Sequence, residues 1–188
     1  MSWYKNISIR AQLSIPLFMI GAVLLFIALL GVMNISSLKT SADQIAREFL
    51  PSLNHLTQAD RDLYQAQVAE RSIIFLKVGS DKYTKAIAQH SENIQQAIDR
   101  LEKFATLTTS EEAILKVEQF RKYFVLWEKT TNRIAKERTE GGRAGRSTAI
   151  DLSFGEGAKQ FNSMRDVIDS LTEMTETASE NESNAIDQ

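Results

Sequence analysis

The sequence predicts an all-α fold, in which an N-terminal transmembrane helix continues into an antiparallel, up-down-up-down four-helix bundle. Residues 11–38 contain no charged side chain. The rest of the chain contains four stretches with apolar residues spaced three, four or seven apart, which is the spacing of amphipathic helices. Three short turns separate these stretches, and short connections make neighbouring helices antiparallel. Only two prolines and eight glycines occur in 188 residues, which also favours long helices.

The N-terminal apolar stretch is long enough to cross a bilayer. Ile15 to Met33 includes no polar side chain, and a helix of about 20 apolar residues spans the hydrocarbon. A cleaved secretory signal is the alternative, but it has a shorter apolar run and small residues at its cleavage site. Here Asn34 and Ile35 follow Met33 instead. We therefore assign residues 11–33 to a transmembrane helix.

The flanking charges predict the orientation of this helix. Lys5 and Arg10 precede it without any acidic residue, whereas both signs of charge follow it. Because positive flanks stay in the cytoplasm, residues 1–10 are predicted to be cytoplasmic and residues 34–188 periplasmic, in the cell membrane of a bacterium. Trp3 and Tyr4 suit the level of the lipid headgroups.

The first bundle helix, helix 1, is predicted to leave the membrane without a break. No glycine occurs from Asn34 to Val78, and Pro51 is the one residue there that can kink the helix. At 1.5 Å per residue, a helix of roughly 45 residues reaches about 65 Å from the membrane.

Turn signals place the other three helices. The first turn, at residues 78–81, contains Gly79 as a C-terminal glycine and Ser80 or Asp81 as an N-cap. The second, at residues 106–110, contains Thr109 or Ser110 as an N-cap. Glu111 and Glu112 follow in the first turn of helix 3, where the helix dipole favours acids. Residues 140–145 form a glycine-rich turn that we expect to be the most flexible loop, and helix 4 is predicted to start near Ser147. Apolar stripes on helices 2 to 4 include Tyr83, Ile94, Leu101, Phe104, Ile114, Phe120, Phe124, Trp127, Ile134, Phe154, Phe161, Met164, Ile168 and Leu171.

The residues carry no signature of catalysis. Gly141 and Gly142 are not followed by the lysine and hydroxyl residue of a phosphate-binding loop. His55 and His90 are the two histidines, and in a hairpin turning near residue 79 His55 faces residue 103 rather than His90. We expect no enzymatic activity, no cofactor and no metal site. The formal net charge of −2 and the lack of a long basic stretch exclude nucleic acid as an expected partner.

Helix 1 also has a second, semi-apolar stripe. Extending its core stripe by sevens reaches Asp60, Gln67 and Glu70, so polar groups enter the expected core seam. The second stripe lies on the adjoining face of helix 1 and consists of Thr57, Arg61, Tyr64, Val68, Arg71 and Phe75. This stripe could pack against a partner subunit, and its arginines could bind a carboxylate. Alternatively, these charged groups pair with one another or with solvent, as residues spaced three or four apart on a helix commonly do.

Two stretches carry a resemblance to a known family. The start, Trp3-Tyr4-Lys5-Asn6-Ile7-Ser8-Ile9-Arg10-Ala11-Gln12-Leu13, is similar to the cytoplasmic lead-in of bacterial chemoreceptors, the methyl-accepting chemotaxis proteins. Residues 62–72 resemble a part of helix 1 in many of their four-helix sensor domains. In aspartate-type receptors, helix-1 arginines and helix-4 residues clasp an amino acid at the dimer interface, and Arg61 and Arg71 match those arginines in type and approximate place.

This resemblance implies the ligand-sensing, extracytoplasmic part of a chemotaxis receptor that transmits a helix shift across the membrane. We expect a parallel homodimer through helix 1 and a small-molecule ligand such as an amino acid or an organic acid. Counting back from the turns places residue 71 level with residue 154 and residue 61 level with residue 164. The predicted ligand-binding residues are Arg61, Tyr64, Arg71, Thr148, Asp151 and Phe154.

Other outputs are compatible with the same bundle. The sensor module of a membrane histidine kinase or cyclase, and a membrane-anchored structural stalk without ligand, are the alternatives. The receptor hypothesis predicts a second apolar span that begins within a few residues of Gln188.

Overall fold

The computed structural model describes residues 8–186, and every element within this range is helical. The predicted positions of Trp3, Tyr4 and Lys5 lie outside the described residues. We number the helices α1 to α6 in chain order, with a five-residue π-helical segment, Ile45–Phe49, between the first two. The helices are α1 (Ile9–Gln44), α2 (Leu50–Phe75), α3 (Asp81–Leu107), α4 (Glu111–Glu140), α5 (Gly142–Phe154) and α6 (Glu156–Ile186).

The apolar stretch and the first bundle helix form one continuous helix, as predicted. Helical backbone runs unbroken from Leu13 to Phe75. Among the described residues, this is the one helix that contains a stretch long and apolar enough to cross a membrane, and the stretch lies near its N-terminus. Side chains there, such as Leu17 and Phe18, are exposed. The π-helical segment ends two residues before Pro51. A proline lacks an N–H and its ring clashes with the carbonyl four residues back, here that of Arg47, so a widened turn lets the helix pass the proline.

The first two turns have the predicted chemistry. Gly79 adopts a φ of 78°, a left-handed conformation that favours glycine. The Ser80 hydroxyl accepts a hydrogen bond from the Tyr83 N–H at 3.3 Å, and the Ser110 hydroxyl accepts one from the Ala113 N–H at 3.3 Å. Both serines therefore cap the helices that follow them.

The third turn differs from the prediction. Helix 4 begins at Gly142, five residues before Ser147, and it consists of α5 and α6 with a break at Gly155. A Cβ at Gly145 would overlap the carbonyl oxygen of Glu137 on α4. Glycine here permits close approach of two backbones rather than a loose loop, so the expected flexible loop was wrong.

The four bundle helices pack as an antiparallel up-down-up-down bundle. At the end farthest from the apolar helix, the Arg138 guanidinium donates to the carbonyl oxygens of Ile74 (2.9 Å) and Leu76 (2.6 Å). At the other end, the Ser41 hydroxyl on α1 donates to the Glu182 carboxylate on α6 at 2.5 Å. The core follows the predicted stripes, except that Ile114 and Phe154 are largely exposed. Its largest fully buried side chains include Leu56, Leu63, Ile73, Ile74, Leu101, Phe104, Phe120, Trp127, Ile134, Met164, Ile168 and Leu171.

Candidate functional site

The second stripe of helix 1 lies outside the core. Val68 is 63% exposed and Phe75 is 60% exposed, although other side chains of α2, such as Leu63, are fully buried in the core. Phe154 on α5 is similarly exposed. Large apolar side chains of this kind on neighbouring helices form a surface that a partner can cover.

Arg61 and Tyr64 occupy one part of this surface. The Arg61 guanidinium donates to a carboxylate oxygen of Asp62 through Nε (3.0 Å) and Nη2 (2.8 Å), and its side chain remains 52% exposed. The Tyr64 ring packs edge-on against Phe161, with ring centroids 5.3 Å apart. The guanidinium carbon of Arg165 lies 4.6 Å from the Tyr64 ring centroid. Tyr64 is thus held in place, whereas Arg61 has exposed donors.

Arg71 and Phe154 form a second group. The guanidinium carbon of Arg71 lies 5.0 Å from the Phe154 ring centroid, a cation–π distance. Its Nε is buried and has no hydrogen-bond partner among the described residues. Arg165 reaches Asp60, the residue directly before Arg61, at 2.7 Å, so the predicted register between helix 1 and helix 4 is confirmed at both levels.

The six predicted ligand-binding residues do not converge on one point. Arg61 and Arg71 are ten residues apart on one helix, which corresponds to about 15 Å. They line adjoining surface grooves that share Val68 and Ser72. Asp151 lies one turn before Phe154 and is exposed, while the Thr148 hydroxyl donates to the Ala144 carbonyl at 3.2 Å. The Arg61 group and the Arg71 group are therefore two neighbouring parts of one exposed face of α2.

A buried polar cluster joins four helices behind this surface. The Glu70 carboxylate on α2 accepts hydrogen bonds from the Thr131 hydroxyl on α4 and, at 2.6 Å, from the Ser153 hydroxyl on α5. The Thr131 oxygen lies 2.7 Å from Nε2 of His90 on α3. Because Thr131 uses its single proton on Glu70, His90 must donate through Nε2–H. We call these four residues the Glu70 cluster.

Burial shifts the two titratable groups of the Glu70 cluster. Desolvation raises the pKa of Glu70, while the hydrogen bonds from Ser153 and Thr131 and the nearby Arg71 charge oppose the rise. Desolvation lowers the pKa of His90 from 6.5 to about 4, so its imidazole is neutral near pH 7. Because the pKa of Glu70 is raised in the folded chain, Glu70 destabilises the fold as the pH rises above the ordinary carboxyl pKa. Because the pKa of His90 is lowered in the folded chain, His90 destabilises the fold as the pH falls from 6.5 to about 4.

A second buried charge ties α2 to α3. Asp62 is fully buried, and its carboxylate accepts hydrogen bonds from Arg61 and, at 2.6 Å, from Nε of Arg100. Arg100 also donates to the side-chain oxygen of Gln58. The sequence pattern gave no sign of this pair, because Asp62 falls on neither stripe. The pattern did place Glu70 in the core seam, but not its hydroxyl partners, which lie 61 and 83 residues further along the chain.

Comparison with known proteins identifies a family. A comparison with curated proteins gives no match. The family model described as "Four helix bundle sensory module for signal transduction" matches residues 6–188, nearly the whole chain. This match agrees with the helical bundle, with its apolar N-terminal helix, and with the resemblance to chemoreceptor sensor domains. The chain therefore belongs to the family of four-helix-bundle sensory modules for signal transduction.

Proposed function

We propose that the chain is the ligand-sensing, extracytoplasmic part of a chemotaxis receptor and has no enzymatic activity. The observation that supports this most strongly is the family match over a bundle whose first helix is continuous with the apolar helix. A continuous helix is a rigid connection through which a change of packing in the bundle can reach the membrane. Helix shifts of 1–2 Å are an established means of switching.

The proposed topology places the bundle in the periplasm of a bacterium. The chain contains no cysteine, so single cysteines report their own location. In intact spheroplasts a membrane-impermeant thiol reagent is expected to label Ser91→Cys, an exposed position on α3. It is expected to label Ser2→Cys only after permeabilisation. The reverse pattern would contradict the topology.

The exposed face of α2 supports a parallel homodimer. Val68 and Phe75 lie on the side of α2 that the bundle leaves uncovered, and burial of such side chains contributes about 1.5–3 kcal/mol each. Val68→Cys and Phe75→Cys are expected to form intersubunit disulfides in membranes. Leu115→Cys, on an equally exposed part of α4, is the matched control and is expected not to do so. Equal crosslinking at all three positions would refute the interface.

The ligand that fits this face is a small organic acid or an amino acid. Arg61 keeps exposed donors, and Arg71 has a buried Nε without a partner among the described residues. A carboxylate on this face would pair with the guanidinium group of Arg61 or of Arg71, because arginine donates two parallel hydrogen bonds to a carboxylate. Since the two arginines are about 15 Å apart along α2, the ligand would contact one of them in each subunit.

The test is a thermal-shift screen of amino acids and organic acids on the protein in nanodiscs. A stabilising ligand is expected to lose its effect in Arg71→Ala or in Arg61→Ala, and to retain it in Arg133→Ala, an exposed control on α4. A ligand whose stabilisation survives both Arg61→Ala and Arg71→Ala would refute this site while leaving the sensor function standing.

A further inference from the structure

A half-enclosed cavity lies at the end of the bundle next to the apolar helix. Its volume is about 220 Å³, roughly seven times the volume of a water molecule in the liquid. The walls come from the π-helical segment and the start of α2, from the α3–α4 turn, and from α6. None of the residues that bind the proposed organic acid lines it.

Glu48 and Ser52 are polar residues of this cavity, and neither has a side-chain hydrogen bond or ion pair to a described residue. Glu48 belongs to the π-helical segment, and no cation among residues 8–186 lies within ion-pairing distance of its carboxylate; its neighbour Arg47 is 3.6 Å from Asp43 instead. Ser52, one turn further on, is 2% exposed and lines the cavity. Its hydroxyl has no hydrogen bond to any described residue. The Ser52 oxygen is not among the enclosed atoms that lack a partner, so it is accessible from the cavity and free to form a hydrogen bond there.

The rest of the wall is uncharged. Phe104, Met174 and Ala178 provide carbon surface, and the Thr175 hydroxyl donates to the Leu171 carbonyl at 2.7 Å. Glu48 is the one charged residue among those that line the cavity.

The π-helical turn gives this site a structural basis. Single π-helical turns within α-helices occur frequently at functional sites. This one carries Glu48 and Phe49 into the cavity wall, opposite α6. An occupant would contact both helices that approach the membrane end of the bundle.

We propose that this cavity binds a small monoamine as its ammonium ion. The ammonium group would donate to the Glu48 carboxylate and the Ser52 hydroxyl, and a short alkyl group would pack against Phe104 and Met174. A carboxylate at this point favours a cation, and the volume suits a molecule of about six non-hydrogen atoms. The site goes beyond the proposed function, because it uses different residues and a ligand of opposite charge.

The experiment measures protection of a single cysteine on the cavity wall of the whole chain in nanodiscs. Ala178→Cys is treated with a small methanethiosulfonate reagent, with and without 3-methylbutylamine. We expect the amine to slow labelling severalfold, and 3-methylbutan-1-ol and 3-methylbutanoate, which have the same alkyl group, not to. Thr177→Cys, exposed on the same turn of α6, is the control that no ligand should protect.

A second substitution tests the role of Glu48. Glu48→Gln in the Ala178→Cys background is expected to abolish protection, while Glu112→Gln, an exposed residue outside the cavity, retains it. Far-UV circular dichroism and thermal unfolding of each variant verify that it is folded. Lack of protection by the amine in folded Ala178→Cys, equal protection by the alcohol, or protection that survives Glu48→Gln would each overturn the proposal.

Discussion

Replacing Thr131 by valine is expected to destabilise the bundle strongly, although the two side chains have the same shape. Thr131 is fully buried, and its hydroxyl both donates to Glu70 and faces Nε2 of His90 at 2.7 Å. Valine leaves a carboxylate oxygen and an N–H buried without this partner. An unsatisfied buried group costs about 1–3 kcal/mol, and more when it is charged.

We therefore expect Thr131→Val to lower the free energy of unfolding by about 3 kcal/mol. For a chain of this size, that corresponds to a fall in Tm of roughly 6–12 °C. Trp127 lies in the core one turn away and reports unfolding by fluorescence. Trp3→Phe removes the other of the two tryptophans.

The neighbouring residue provides the control. Thr130 is also buried, but its hydroxyl donates to the Leu126 carbonyl of its own helix at 3.1 Å. Removing this bond leaves no other buried side chain without a partner. We expect Thr130→Val to cost less than about 1 kcal/mol. If Thr131→Val is no more destabilising than Thr130→Val, the Glu70 cluster does not contribute to stability as argued.

Three further outcomes follow from the packing. Burial lowers the pKa of His90 to about 4, so between pH 6.5 and 5 the unfolded chain binds a proton at His90 and the folded chain does not. The parent protein should therefore lose stability over this pH range. His90→Leu should lose less, which unfolding measured at several pH values would show. Arg100→Met leaves the buried Asp62 carboxylate with one cationic partner and should cost about 3 kcal/mol in thermal unfolding; a change below about 1 kcal/mol would contradict the importance of this pair. Gly145→Ala places a Cβ against the Glu137 carbonyl oxygen and should lower the Tm, whereas an unchanged Tm would show that α5 can shift.

The apolar pattern predicted the architecture well because it depends on local spacing. The stripes through Leu101, Trp127 and Leu171 determine which faces are buried, and short turns determine the direction of each helix. Residues 140–145 were misread because glycine serves both loops and close backbone contacts, and sequence alone does not distinguish the two uses.

The polar interior was less predictable. Glu70 in the core seam signalled a buried polar group, but its partners depend on the rotation of α4 and α5. The pairing of Asp62 with Arg100 likewise depends on how α3 is rotated. The register of Arg71 with Phe154 was predicted, because counting from the turns fixes height along the bundle.

We propose that ligand binding is transmitted as a shift of helix 4 relative to helix 1. The contact between Ser41 and Glu182 near the apolar helix allows a direct measurement of such a shift. The measurement is the rate of disulfide formation in the double variant Ser41→Cys and Glu182→Cys, in membranes, with and without the acid found by the thermal-shift screen. The ligand can move this contact only by its difference in affinity for two packings. We predict that saturating ligand changes the rate severalfold and that Arg71→Ala or Arg61→Ala abolishes the change. An identical rate with and without bound ligand would contradict the claim.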